Sequence, residues 1–164
     1  MQTLKSGRRI NRNWIPVIAL GIAVMMSVFS LSAQARGALQ TYQSDQKFEE
    51  FLERLKQAIA SEKMGIVAEA CADCGARAIG VTIPGNRVVM IFHPRFAVRM
   101  LKASVDAGIE APLRLYVTER SQGTQLSFYK ASDVFAPYAS TGDLVEMAKE
   151  LDDILVRIAE QAIR

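Results

Sequence analysis

Histidine occurs once in the 164 residues, as His93, and cysteine twice, as Cys71 and Cys74. A single histidine excludes metal centres built on histidine pairs. With no serine or cysteine placed beside it by spacing, no hydrolytic triad can be read either. No complete catalytic constellation is present, and the reading leans away from an enzyme. Internal repeats, low-complexity tracts and Gly/Ser linkers are missing too, which leaves nothing to divide the chain into several domains. The sole tryptophan is Trp14.

The most informative absence is local. Residues 1–35 hold none of the seventeen acidic residues, but they do hold Lys5, Arg8, Arg9 and Arg12. An apolar run from Ile15 to Leu31 follows, and then the small-x-small sequence Ala33-Gln34-Ala35. This is the layout of an export signal, with cleavage expected after Ala35. The apolar run has 17 residues, between the 7–15 of a signal and the roughly 20 of a membrane span. The alternative is therefore a retained anchor holding the domain on the inner membrane, facing the periplasm. Arg8-Arg9 hints at twin-arginine export, but Ile10-Asn11 does not continue that pattern, and a basic signal start accounts for the pair.

Export changes the reading of charge and of sulfur. The formal charge of the whole chain is +3. Without the leader, sixteen basic residues face seventeen acidic ones, a charge of −1. A nearly neutral domain has no electrostatic footprint for nucleic acid or acidic lipid, so neither is expected as a partner and membrane contact depends on retention of the leader. Residues 36–164 are long enough to bury a core without disulfide staples, and in the periplasm or outside the cell two cysteines can pair.

Periodicity sets the architecture. Ala38 to Gln46 is polar and opens the domain as a loop or irregular edge strand. Ser44 is placed to cap a helix in which Phe48, Phe51, Leu52, Leu55 and Ile59 recur at helical spacing, ending near Lys63 with Gly65 as its stop. Gly65 to Ala70 reads as a strand, Cys71 to Ile79 as a compact helix or turn, and the continuous apolar run Val88 to Phe92 as a buried strand after Pro84-Gly85-Asn86. A helix is expected from Pro94 to Ala107, closed by Gly108. A hairpin is expected from Leu113 to Tyr129 around Ser121-Gln122-Gly123, and a loop from Ala131 to Thr141. A second amphipathic helix runs from Asp143 to Ile163 with Leu144, Met147, Leu151, Ile154 or Leu155, and Ile158 on one side. These elements predict one α+β domain of two layers, a mostly antiparallel sheet with helices packed on one face.

Cys71-Ala72-Asp73-Cys74 is the motif with the most chemistry. Three readings stay open: a passive local disulfide, a pair cycling between dithiol and disulfide, or a soft-metal site. At a helix start Cys71 would have its thiolate stabilised, although Asp73 opposes that charge. Covalent haem attachment needs histidine after the second cysteine, where Gly75 stands. Structural zinc takes four ligands; Cys71, Cys74 and His93 supply three, so a metal would have to borrow a carboxylate. No other cofactor is expected. His93 stands at a strand end before Pro94, where a structural role is the commoner one. His93, Arg95 and Arg99 are candidates for meeting a small anionic ligand, although Arg95, Arg99 and Lys102 also fit a solvated helix face. Met90, Met100 and Met147 occupy core-like positions that require no cofactor.

Residues 48 to 130 resemble the domain of unknown function 302 family. The resemblance rests on the order of Gly65-Ile66-Val67-Ala68-Glu69, Gly80-Val81-Thr82-Ile83-Pro84, Phe92-His93-Pro94, Arg95 through Leu101, and Gly108 through Pro112. It implies a small α+β fold that associates as a homodimer, and no activity. The chain departs from the family pattern where Cys71-Ala72 replaces a common Asp-His, His93 an asparagine, and Leu113 a cysteine found in some members. Any polar site shared by relatives is thus altered, and Cys71, Cys74 and His93 form one way of rebuilding it. The functional expectation is an exported, homodimeric accessory domain that binds a small ligand or a periplasmic protein. The alternative is a thiol–disulfide redox or metal-handling protein acting through Cys71 and Cys74.

Overall fold

Polar and apolar residues alternate along most strands, which decides how the sheet is used. The computed structural model describes residues 37–164; the leader expected over residues 1–35 lies outside the described residues. Strands β1 (Leu39–Ser44), β2 (Gly65–Cys71), β3 (Asn86–Phe92), β4 (Leu113–Arg120) and β5 (Gly123–Tyr129) form one sheet in the order β1-β5-β4-β3-β2. Every neighbouring pair is antiparallel. The α+β expectation is met.

Helices α1 (Phe48–Ser61) and α5 (Gly142–Ile163) cover one face of the sheet. The stripe Phe48, Phe51, Leu52, Leu55 and Ile59 of α1 is buried, as are Leu144, Met147, Leu151, Leu155 and Ile158 of α5. They close over Val89 and Ile91 of β3, Leu115 and Val117 of β4, and Leu126 of β5. Burying each such side chain stabilises the fold by about 1.5–3 kcal/mol. The opposite face carries the register row Ala70, Val88, Tyr116, Ser127 and Thr41, with Tyr116 exposed. Among the described residues no helix is long and apolar enough to cross a membrane.

Several boundaries differ from the periodic reading. Ser44 does not cap α1. Its Oγ accepts from Gln46 N, and the helix starts after Lys47 with no side-chain cap. The turn that ends α1 uses Lys63, with φ of 59°, whereas Gly65 already begins β2. Helix α3 (Pro94–Ala103) stops before Gly108, which lies in a 3-10 turn from Asp106 to Glu110. Val105 and Ile109 are exposed there, whereas the turn buries Ala107. The stretch expected as a loop contains helix α4 (Ala131–Phe135) and a 3-10 turn from Ala136 to Tyr138, because Ala131 and Phe135 are both buried one turn apart. Met90 faces away from the helices and is half-buried, while Met100 and Met147 are core residues. Likewise β3 is buried on alternate residues only, not throughout its apolar run.

Strand β2 is an edge. Six of its seven residues are exposed, and its pairing with β3 shifts between Ile66 and Ala68, so that Val67 is extruded from the register. Its last residue, Cys71, stands opposite Arg87. The sheet thus delivers the cysteine motif to one corner.

Candidate functional site

The cysteine motif turns β2 into α2 (Ala72–Ala78), with Cys71 as the N-cap residue: its Sγ accepts from Cys74 N at 3.0 Å. A disulfide joins Cys71 to Cys74, whose Cα atoms are 5.3 Å apart. The two sulfurs differ in setting. Cys71 is half-buried, and its Sγ lies 3.6 Å from Asp73 Oδ1. Cys74 is exposed, and Arg77 Nη2 lies 3.7 Å from its Sγ.

Asp73, inside the four-residue ring, is buried, and so is Arg87. They form a direct ion pair. Asp73 Oδ1 also accepts from Asn86 N at 3.1 Å, and Asp73 Oδ2 lies 3.3 Å from Arg77 Nη1. Arg87 donates through Nε to Glu69 Oε1 at 3.0 Å, through Nη1 to Asn86 O at 3.1 Å, and lies over the Phe48 ring. A buried carboxylate and guanidinium tolerate desolvation only when paired and hydrogen-bonded in this way. The corner where β2 meets α2 is therefore fixed to β3 by charge, while the disulfide closes the corner on itself.

An open polar cleft of about 550 Å³ adjoins the corner. It is lined by Asp73 and Arg77, by Lys47 and Glu49 at the start of α1, and by Glu119 and Arg120 of β4. Beyond α2 the segment 79–84 presents Ile79, Val81 and Ile83 to solvent, Ile79 at 79 % exposure.

The other sequence candidates lie elsewhere. His93 follows Phe92 at the far end of β3, six residues beyond Arg87, which is about 20 Å along a strand. It cannot meet the sulfurs, so Cys71, Cys74 and His93 are not one ligand set. The group the fold does assemble is Cys71, Asp73 and Cys74, with ligand atoms within 4.8 Å of one another. Its sulfurs are bonded to each other, and its carboxylate is engaged by two guanidinium groups. His93 instead caps α3, its Nδ1 accepting from Arg95 N at 3.0 Å, and packs edge-on to Phe96. The cavity beside it, about 30 Å³ and lined by Met64, Phe96, Met100 and Leu113 among others, is apolar and water-sized.

Arg95 and Arg99 both pair with Glu150 of α5, Arg95 Nη2 at 2.6 Å, which offsets one of their two charges inside the chain. The hydrogen bond from Arg99, helped by the charges of Arg95 and Arg99, holds the Glu150 carboxyl below the usual range against the upward push of partial burial. A carboxylate held low stabilises the fold above the ordinary glutamate range, and the gain is lost as pH falls through the lowered folded value. Glu150→Gln is expected to lower stability by up to about 1 kcal/mol at pH 7, the pair being largely exposed. The difference from the unaltered protein should shrink below the ordinary glutamate range and vanish once pH has fallen through the lowered folded value, as urea denaturation at a series of pH values will show.

Residues 40–162 match the family described as domain of unknown function DUF302. This chain belongs to the DUF302 family. The match extends beyond residues 48–130 at both ends, taking in β1 and α5. A solved structure, an uncharacterised conserved DUF302 protein from Bacillus stearothermophilus, superposes with a TM-score of 0.68 at 18 % identity. The likeness covers 77 % of this chain and 98 % of that one, and it establishes the shared fold. No curated protein matches the chain. The DUF302 fold thus provides the scaffold, and any chemistry must be argued from the side chains that this chain places on it.

Arg87, Arg77 and Glu69 are the corner residues that motif reading passes over. A signal for Arg87 exists. It is in phase with Val89 and Ile91 on the buried face of β3, so its charge needs a buried partner, and Asp73 supplies it.

Proposed function

We propose that this DUF302 protein is exported and that its working group is the Cys71–Cys74 pair, which exchanges electrons with thiols of a partner protein. The reading is carried by one observation: the bridge lies at a corner already held without it. Closing a four-residue ring contributes only about 2 kcal/mol by the chain-entropy relation. Meanwhile the Asp73–Arg87 pair, the bond from Asn86 N and the pairing of Cys71 with Arg87 fix the same residues. Such a bridge can open and close without releasing the fold. An exposed sulfur beside a cation and a polar cleft is also where thiol exchange is fastest. The neighbouring Ile79, Val81 and Ile83 offer an apolar landing surface for a thiol-bearing segment.

The test is the reduction potential of the pair, measured against glutathione. A value more oxidising than about −300 mV is expected, and one below it marks an inert structural bridge. In that event the second reading takes over, an exported partner-binding domain without redox chemistry. It is favoured by the sheet face bearing Tyr116 and Leu39, both exposed, which a second copy of the chain would cover in a homodimer.

A further inference from the structure

The cysteine nearer the helix start is the one expected to react first, since capping α2 favours its thiolate. The surroundings of the two sulfurs favour the opposite order. We propose that Cys74 is the sulfur through which thiols enter and leave, that Cys71 is the shielded resolving sulfur, and that Arg77 is a positioning residue for the exchange. This rests on the redox reading above and names the order of its steps.

Access argues first. Cys74 is exposed and Cys71 half-buried, and an attacking thiolate must approach a sulfur from outside, in line with the bond it breaks. Charge argues in the same direction. A thiolate approaching Cys74 meets the Arg77 guanidinium, 3.7 Å from Sγ. One approaching Cys71 meets the Asp73 carboxylate, 3.6 Å from its Sγ. The buried pairing of Asp73 with Arg87 offsets much of that carboxylate's charge, so the asymmetry rests mainly on access and on the Arg77 cation beside Cys74.

The steps balance. A substrate thiolate attacks Cys74 Sγ, and a mixed disulfide forms as the Cys71–Cys74 bond breaks. The electron pair leaves on Cys71 Sγ, where the Cys74 N–H at 3.0 Å receives the charge, and a solvent proton completes the thiol. A second substrate thiolate then attacks the substrate sulfur of the mixed disulfide. The substrate disulfide forms, and the electron pair leaves on Cys74 Sγ, facing Arg77. Two substrate thiols have been oxidised to one disulfide, and the protein disulfide has been reduced to two thiols. The substrate class is a cysteine thiol on an exposed segment of a partner protein, for which glutathione is a small stand-in.

Glutathione serves as the probe for the test. In the reduced protein, Cys71→Ser leaves Cys74, which should form the mixed disulfide with glutathione disulfide about tenfold faster than the Cys71 left by Cys74→Ser. Oxidised unaltered protein, mixed with glutathione, quenched in acid and mapped by peptide mass, should carry glutathione on Cys74. This arm needs no variant to fold. Arg77→Met should slow the reaction of Cys74 severalfold and flatten its dependence on salt, and Arg77→Lys should restore both. Equal rates, a faster Cys71, or glutathione found on Cys71 would overturn the order. An inert potential would sink the redox reading by itself, whereas a labile potential with the reverse order would sink only this inference.

Discussion

Arg87→Met should destabilise the protein by about 3–5 kcal/mol, the usual cost of removing one partner from a buried ion pair. The residue is only 6 % exposed and Asp73 only 3 %. Without the guanidinium, the Asp73 carboxylate keeps Asn86 N and the solvent-facing Arg77, which cannot replace a buried charge. Glu69 and Phe48 lose their contacts with the same side chain. Most of the loss reflects an orphaned charge, not the net worth of the pair. The double variant Asp73→Asn with Arg87→Met should therefore recover a large share of it. Urea denaturation of the two single variants and the double gives the cycle; a loss under 1 kcal/mol for Arg87→Met would refute the account.

Gly123→Ala should cost about 3–5 kcal/mol, combining left-handed backbone strain with overpacking. Gly123 opens β5 at φ of 101°, and a Cβ there would lie 2.0 Å from Ser44 O and 2.8 Å from Asp45 Cα. Both are backbone atoms, so no side-chain rotation relieves the overlap. The hairpin of β4 and β5 would have to move away from the end of β1, widening the cleft that Gly123 lines. The loss should be far smaller for Gly75→Ala, which meets nothing within 4 Å in α2. Thermal unfolding of the two variants side by side makes the comparison, and equal losses would refute it.

The fold was legible where burial follows a simple period. Helices α1 and α5 show their buried stripes at helical spacing, and β4 alternates as a strand covered on one face must. Local chemistry misled where tertiary contacts decide. Ser44 has the side chain of a cap but bonds Gln46 within its own turn, and Gly108 packs beside Leu101 instead of ending a helix. The candidate site was legible only in part. The spacing of Cys71 and Cys74 allows their pairing among other uses, but no pattern in the chain joins Asp73 to Arg87 across the β2–β3 connection. His93 illustrates the converse. Its standing where the family pattern has asparagine suggested a site rebuilt with the sulfurs, and the antiparallel run of β3 carries it to the other end of the sheet. Arg95 and Arg99 are drawn into internal pairing by Glu150, 51 residues beyond Arg99. That partner is visible only after α3 and α5 have packed.

The extruded Val67 has a consequence for the protein in a crowded compartment. A straight, uncharged margin of backbone amides would recruit extended segments of other chains and propagate into fibrils. Here the run available for such recruitment is broken near its middle, and Glu69 adds a charge to the remainder. The irregularity that roughens this margin thereby helps keep the molecule from polymerising, while the exposed sulfur of Cys74, three residues past its end, stays open to one visitor at a time.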